Sequence, residues 1–315
     1  MRWIDEDKQG KDMIEFNKQH EHLFTVSYSI TMACNNRCPY CSVYQNLDNS
    51  LLYDQDMIDL VIEKIQQFRI KNPDYKVKLQ FKGGEPLLVA GKVVEMMEAL
   101  EDDRTEFLIL SNLNFKPGGS KMSDIKKYGS TNPRCTILCS VHEVSDHNFV
   151  KQNILDLRDM VETKFLLDNT NIGFVYDYAH CAVDNSLPFS FKDIRDNKIG
   201  YKASKFNFED KRVRYLLDNH DEYSSDVTFG DKRIPAREAK EMDLSNISQQ
   251  YWTICRLASF NVKYDGRITS ASCGYPVNGH ISKGFELKEF LCHGYECYCS
   301  TDDYKKLLRE RDAKV

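Results

Sequence analysis

Residues 24–41, FTVSYSITMACNNRCPYC, decide the fold. The first part, 24–30, is apolar and β-branched and reads as a strand. The second part sets Cys34, Cys38 and Cys41 directly after that strand, with gaps of three and then two residues. Outward from there the chain alternates. Met57, Ile58, Val61, Ile62 and Ile65 form a helical stripe within 55–68. Residues 77–81 read as a strand stopped by Gly83-Gly84, and 93–100 as a helix. Residues 106–110 and 135–141 are expected strands, 148–161 an expected helix, and 164–167 and 172–176 two further expected strands. Strands and helices alternating at this spacing predict βαβ units around a parallel sheet, an α/β fold.

The chain has 315 residues, enough for one large domain or a catalytic domain with a small appendage. It is 41% hydrophobic and 29% charged, which suits a folded soluble protein. Its net charge of −5 offers no basic excess for nucleic acid or an anionic membrane. No apolar run approaches the ~20 residues of a membrane helix, and MRWIDEDKQGKDMIEF lacks the apolar centre of a signal peptide. A cytoplasmic protein is expected. Against that background the 11 cysteines stand out. In a reducing compartment an odd number at tight spacings points to metal or iron–sulfur ligation rather than disulfides. Cys34, Cys38 and Cys41 sit near the start, and Cys255, Cys273, Cys292, Cys297 and Cys299 near the end. Of those between, Cys135 and Cys139 are expected on one face of their strand as small buried residues, and Cys181 is read as structural.

Three thiolates from one loop, without a fourth ligand nearby, suit a 4Fe–4S cluster with one open iron better than structural zinc, which takes four ligands. The Cys34-x3-Cys38-x2-Cys41 spacing, with Tyr40 before the last cysteine, resembles the signature of the radical S-adenosylmethionine (SAM) superfamily. Lys82-Gly83-Gly84-Glu85-Pro86 after the strand VKLQF resembles that family's GGEP motif, which contacts the amino group of SAM. The chemistry is consistent: paired glycines bare the backbone, and Glu85 offers a carboxylate to an ammonium. The resemblance implies that Ser111 and Asn112, ending the third strand, and Ser140, ending the fourth, meet SAM. Leu113 stands where the family often has glycine. His142 is a candidate substrate contact or proton carrier, or else a loop histidine held by a backbone hydrogen bond.

Cys255 and Cys273 flank a hairpin with an Asp265-Gly266 turn, and Cys292-x4-Cys297-x-Cys299 follows. This resembles the SPASM and twitch extensions of radical SAM enzymes and implies one auxiliary 4Fe–4S cluster on four of these five cysteines. A zinc knot is the alternative. The implied architecture is a partial parallel (β/α)6 barrel over 23–178 and a small cysteine-rich cluster-binding domain over 251–303. A lead-in (1–22), a connection (179–250) and a terminal helix (304–315) complete the chain. The connection is expected to hold helices near 208–217 and 237–242. Its run 198–214 mixes lysines and arginines with aromatics, a possible nucleic-acid surface, but reads first as a solvated face. The implied activity is reductive cleavage of SAM to a 5′-deoxyadenosyl radical, which takes hydrogen from an unactivated carbon of a peptide or small molecule. An electron donor such as flavodoxin or ferredoxin is implied as partner. Modification of a nucleotide or nucleic acid, and a non-catalytic iron–sulfur or zinc protein, are the alternatives.

Overall fold

β1 (Leu23–Thr31) alternates Phe24, Val26, Tyr28 and Ile30 with Thr25, Ser27, Ser29 and Thr31. The apolar set is wholly buried, and Phe24 stacks on Phe68 of α1 (Gln55–Lys71) with ring centroids 3.7 Å apart. Asp54 starts α1 by accepting the Met57 N–H, an N-cap that fixes where the chain turns back along the strand. The computed structural model describes residues 23–41, 46–167, 171–187, 189–193, 210–212, 215, 226–229, 232–235, 253–257, 259–270, 279–285 and 288–292.

The unit then repeats. β2 (Lys76–Gly83) leads to α2 (Ala90–Leu100), β3 (Thr105–Ser111) to α3 (Ser120–Thr131), β4 (Cys135–Val141) to α4 (His147–Asp156), and β5 (Val161–Leu167) to α5 (Ile172–Asp184). With β6 (Phe189–Asp193), these strands lie side by side in chain order and all parallel. β7 (Asp226–Phe229) adds parallel to β6, and β8 (Lys232–Pro235) antiparallel to β7. At the other edge β10 (Ser259–Val262) runs parallel to β1, followed by β11 (Arg267–Ser270) and β12 (Gly279–His280). Among the described residues these eleven strands form one sheet, while β9 (Thr253–Leu257) and β13 (Lys288–Cys292) pair separately. The expected hairpin is present, with Gly266 at φ 77°. It continues the main sheet, because the outer edge of β1 would otherwise present unpaired backbone groups.

Three expectations along the chain need correction. The helix expected over 148–161 stops at Asp156, because Val161 already pairs with Ile137 as the start of β5. Residues 172–176 are not a strand but the first part of α5, whose buried Ile172, Val175, Tyr178, Ala179 and Ala182 recur at helical spacing. The sixth strand is β6, from the stretch read as a connection. α3 has no expected counterpart: only Met122, Ile125 and Tyr128, three apart in a polar segment, mark its buried face. Residues 1–22, 237–242 and 304–315 lie outside the described residues, and of 208–217 only 211, 212 and 215 are described as helical. Among the described residues no helix is long and apolar enough to cross a membrane.

The sheet has two unlike faces. Thr163 and Phe165 line a small cavity with Ile154 and Leu155 of α4 and Tyr178 and Ala182 of α5, so their face is the helix-packed one. Cys135 and Cys139 share it and are buried, as expected. The opposite, inner face carries the partly exposed Gln80, Lys82, Leu108, Leu110, Leu138, Ser140 and Lys164.

Candidate cluster and cofactor site

The site is built where β1 and β2 end. Thr31 pairs with Gly83, the Gly84 N–H donates to the Thr31 carbonyl at 2.9 Å, and the Glu85 N–H donates to the Ala33 carbonyl at 2.7 Å. A Cβ on Gly83 would stand 2.1 Å from the Thr31 oxygen, and one on Gly84 2.0 Å from the Ala33 oxygen. Gly83 also has φ 133°, a conformation that L side chains rarely adopt. The glycine pair is therefore required inside the chain: it lets the turn after β2 lie backbone to backbone against the start of the cysteine loop.

Glu85 turns inward from this contact and is 1% exposed. Its Oε1 accepts from the Leu87 N–H at 3.0 Å and the Ser111 hydroxyl at 2.8 Å, and its Oε2 from the Asn112 N–H at 2.8 Å. Glu85, singled out from the glycine motif, and Ser111 and Asn112, singled out at the end of the third strand, thus form one cluster. Burial pushes the Glu85 carboxyl up to about 7 against the pull of these donors. Pro86 is buried at the first turn of the short 3-10 helix Pro86–Val89.

A layer of asparagines ties β3 and β4 to the cysteine loop. Asn112 Nδ2 donates to Asn35 Oδ1 at 2.9 Å, Asn35 Nδ2 to the Asn114 carbonyl at 2.6 Å, and Asn114 Nδ2 to Asn36 Oδ1 at 2.8 Å. Asn36 Nδ2 reaches the Ser145 hydroxyl at 2.8 Å. Leu113 adopts φ 49°, the left-handed conformation, at the position where the resembled family has glycine. Sequence reasoning did not single out Asn35, Asn36, Asn114 or Ser145. The signal available was the density of asparagine in Asn35-Asn36 and Asn112-Leu113-Asn114, a residue type suited to side-chain-to-backbone bonding in loops.

Cys34 and Cys38 are buried and Cys41 is partly exposed. Burial pushes the Cys38 thiol up to about 12, and the nearby Cys41 and Cys34 add to the shift. The Cys34 thiol is likewise raised by burial, while the Asn36 N–H donating to its Sγ at 3.4 Å opposes. Arg37 holds the loop's shape by donating to the Cys34 carbonyl at 2.7 Å and to Asn49 Oδ1 at 3.1 Å. Among the described residues no three His, Cys, Asp or Glu side chains converge on one metal ion. Three thiols on one loop that feel each other's charge suit the separate iron corners of a cluster. Their high proton affinity is what a bound cationic centre overcomes when it deprotonates its ligands.

Tyr40 leaves the loop toward β4. Its hydroxyl lies 3.1 Å from His142 Nδ1, and the two rings stack at 5.9 Å. Burial pushes His142 down to about 4, so its ring is neutral at pH 7. The side-chain partner found for His142 is thus Tyr40. Ser140 stands on the inner face, in register with Lys164. Of the late cysteines, Cys255 pairs in register with Phe290 and Cys292 with Thr253, which puts Cys255 and Cys292 at diagonal positions of the β9–β13 ladder. Cys273, Cys297 and Cys299 lie outside the described residues.

Residues 28–163 match the family model of the Radical SAM superfamily, from within β1 to within β5. No curated protein sequence matches the chain. Among solved structures the fold is similar to Streptococcus suis SuiB bound to S-adenosylmethionine: 12% identity and a TM-score of 0.51, over 94% of this chain and 70% of that one. It is also similar to native anSMEcpe with bound AdoMet and Cp18Cys peptide: 12% identity and a TM-score of 0.54, over 90% of this chain and 82% of that one.

Proposed function

We propose that this chain is a radical SAM enzyme acting on a peptide or small molecule. Cys34, Cys38 and Cys41 hold the 4Fe–4S cluster that, when bound, supplies the electron for cleaving SAM to a 5′-deoxyadenosyl radical, the species that takes hydrogen from an unactivated carbon. The observation that carries this reading is the lock between the two motifs. Gly84 and Glu85 hydrogen-bond to Thr31 and Ala33, immediately before the first cysteine.

The chain's residues then have separable tasks. Glu85 is a buried carboxylate with three neutral donors and an open lone pair on Oε2. The ammonium of SAM supplies the cation that this burial lacks. Ser111 and Asn112 hold the carboxylate in place from β3, Tyr40 and Ser140 flank the site, and the asparagine layer keeps the loops at fixed separation. Cys255, Cys273, Cys292, Cys297 and Cys299 hold one auxiliary 4Fe–4S cluster with four of their five thiolates. The diagonal placement of Cys255 and Cys292 supports this assignment.

The test is anaerobic reconstitution with iron and sulfide, followed by SAM and a reductant. The expected result is about eight irons per chain, as two four-iron clusters, and release of 5′-deoxyadenosine. Replacing Cys34, Cys38 and Cys41 together with Ala removes that release and leaves about four irons. Glu85→Gln weakens SAM binding by about 1.5–3 kcal/mol, the worth of a charged hydrogen bond. Unchanged SAM cleavage in the triple variant overturns the assignment, and about four irons plus one tightly bound zinc overturns the auxiliary cluster.

A further inference from the structure

Lys82, directly before the glycine pair, is a cation that the mechanism above does not use. It points to the inner face from the end of β2, where its Nζ donates to Asn261 Oδ1. Asn261 belongs to β10, on the far side of β1: Ser29 is in register with Lys82, and Ser27 with Asn261. Between them the Ser27 hydroxyl donates to Gln80 Oε1 at 2.7 Å. This wall of the inner face is therefore built of hydroxyls, amides and an ammonium. Among the described residues no carboxylate pairs with Lys82. The inner-face acid in register with a β2 lysine is Glu106, beside Lys78 toward the opposite end of the strand. Burial, and then the nearby Lys263, push the Lys82 ammonium down to about 8. A partly buried cation whose proton is destabilised by its surroundings is stabilised by an arriving anion.

The adjoining part of the inner face is of a different kind. Leu108 and Leu110 of β3 and Leu138 of β4 are partly exposed on the same inner face, with Gln80 in register with Leu108 and Leu110 with Leu138. A leucine surface left open beside a polar, cationic one suits a ligand with two unlike ends.

We propose that Lys82 is a specificity-determining residue that takes an anionic group, carboxylate or phosphate ester, of a substrate whose apolar body lies on Leu108, Leu110 and Leu138. This inference rests on the reading above that the chain is a radical SAM enzyme acting on a peptide or small molecule, and it places that substrate on the inner face of the sheet. Asn261 holds the ammonium in the absence of that group and is a positioning residue.

The experiment is a calorimetric titration of the full reconstituted chain with octanoate, octyl phosphate, octanol and octylamine. Octanoate or octyl phosphate binds best, and the stronger of the two tells which anion the site prefers. Lys82→Met weakens that binding about 10- to 100-fold, the worth of a hydrogen bond to a charged group. Lys82→Arg restores most of it, and Leu110→Asn weakens it as well. Equal binding of the anions to wild type and Lys82→Met overturns the proposal. So does wild-type protein that binds octanol as well as octanoate, a comparison that needs no folded variant. Iron content and 5′-deoxyadenosine release are measured on the same wild-type preparation. Anion binding without SAM cleavage sinks the enzyme reading and leaves an anion site. SAM cleavage without anion preference sinks only the role of Lys82.

Discussion

Replacing Gly84 with alanine probes the contact that holds the two motifs together. The new Cβ would lie 2.0 Å from the Ala33 oxygen, and ordinary van der Waals contact begins at 3.4 Å, so the strands' ends must part by 1.4 Å. The neighbouring hydrogen bonds, 2.9 Å from Gly84 to Thr31 and 2.7 Å from Glu85 to Ala33, cannot survive that movement. Two backbone N–H groups would be stranded, each costing about 1–3 kcal/mol where water does not reach. The expected loss is about 2–6 kcal/mol of folding free energy, measured by urea denaturation of the full chain. Iron uptake should fall as well, because Ala33 directly precedes Cys34. Gly91→Ala is the control. It lies within α2 with nothing within 4 Å of its would-be Cβ, so it should gain about 0.5–1 kcal/mol from helix propensity. A Gly84→Ala protein within about 1 kcal/mol of wild type would refute the claim that the glycine is required by backbone approach.

Glu85 should make stability depend on pH in a direction opposite to most carboxylates. Its folded value of about 7 lies above the ordinary 4.5, so the folded state holds a proton that the unfolded chain has lost. Its contribution is present below the ordinary value and is lost as pH rises to about 7, amounting to about 3 kcal/mol across that window. Glu85→Gln should flatten this fall in SAM-free protein, and denaturation curves from pH 4.5 to 7 that run parallel in both proteins would refute it. His142, pushed down to about 4, acts the other way, since its stabilising neutral form is lost as pH falls toward that value. Leu113, wholly buried at φ 49°, should invert the usual core ranking. Leu113→Gly relieves about 1–2 kcal/mol of left-handed strain that Leu113→Ala retains. Even after the backbone entropy cost of glycine, the glycine variant should denature at the same or higher urea concentration than the alanine one.

Local rules made much of residues 28–163 legible. The three-and-two cysteine spacing, the glycine pair and Glu85 each need specific residue types in a fixed order, and such requirements are written in one dimension. The parallel βαβ alternation was equally visible, because burial of one strand face repeats every second residue and helix packing every third or fourth. Where that periodicity was short or mixed, it failed. Residues 172–176 hold an apolar run too short to tell helix from strand, and only the continuing spacing through Ala182 settles them as α5. β6 was hidden because five residues between polar segments carry almost no pattern. The site shows the same division. Its chemistry-bearing residues could be chosen from the sequence, but Asn35 meeting Asn112 and Lys82 meeting Asn261, across separations of 77 and 179 residues, could not. Those pairs exist because parallel strands bring the ends of distant segments to one edge, and because β10 adds beside β1. Sequence by itself determined which groups are on offer to the proposed cluster and to SAM. Tertiary structure decided which face each one meets, because strand register, and not spacing along the chain, sets the neighbours of a side chain in a sheet.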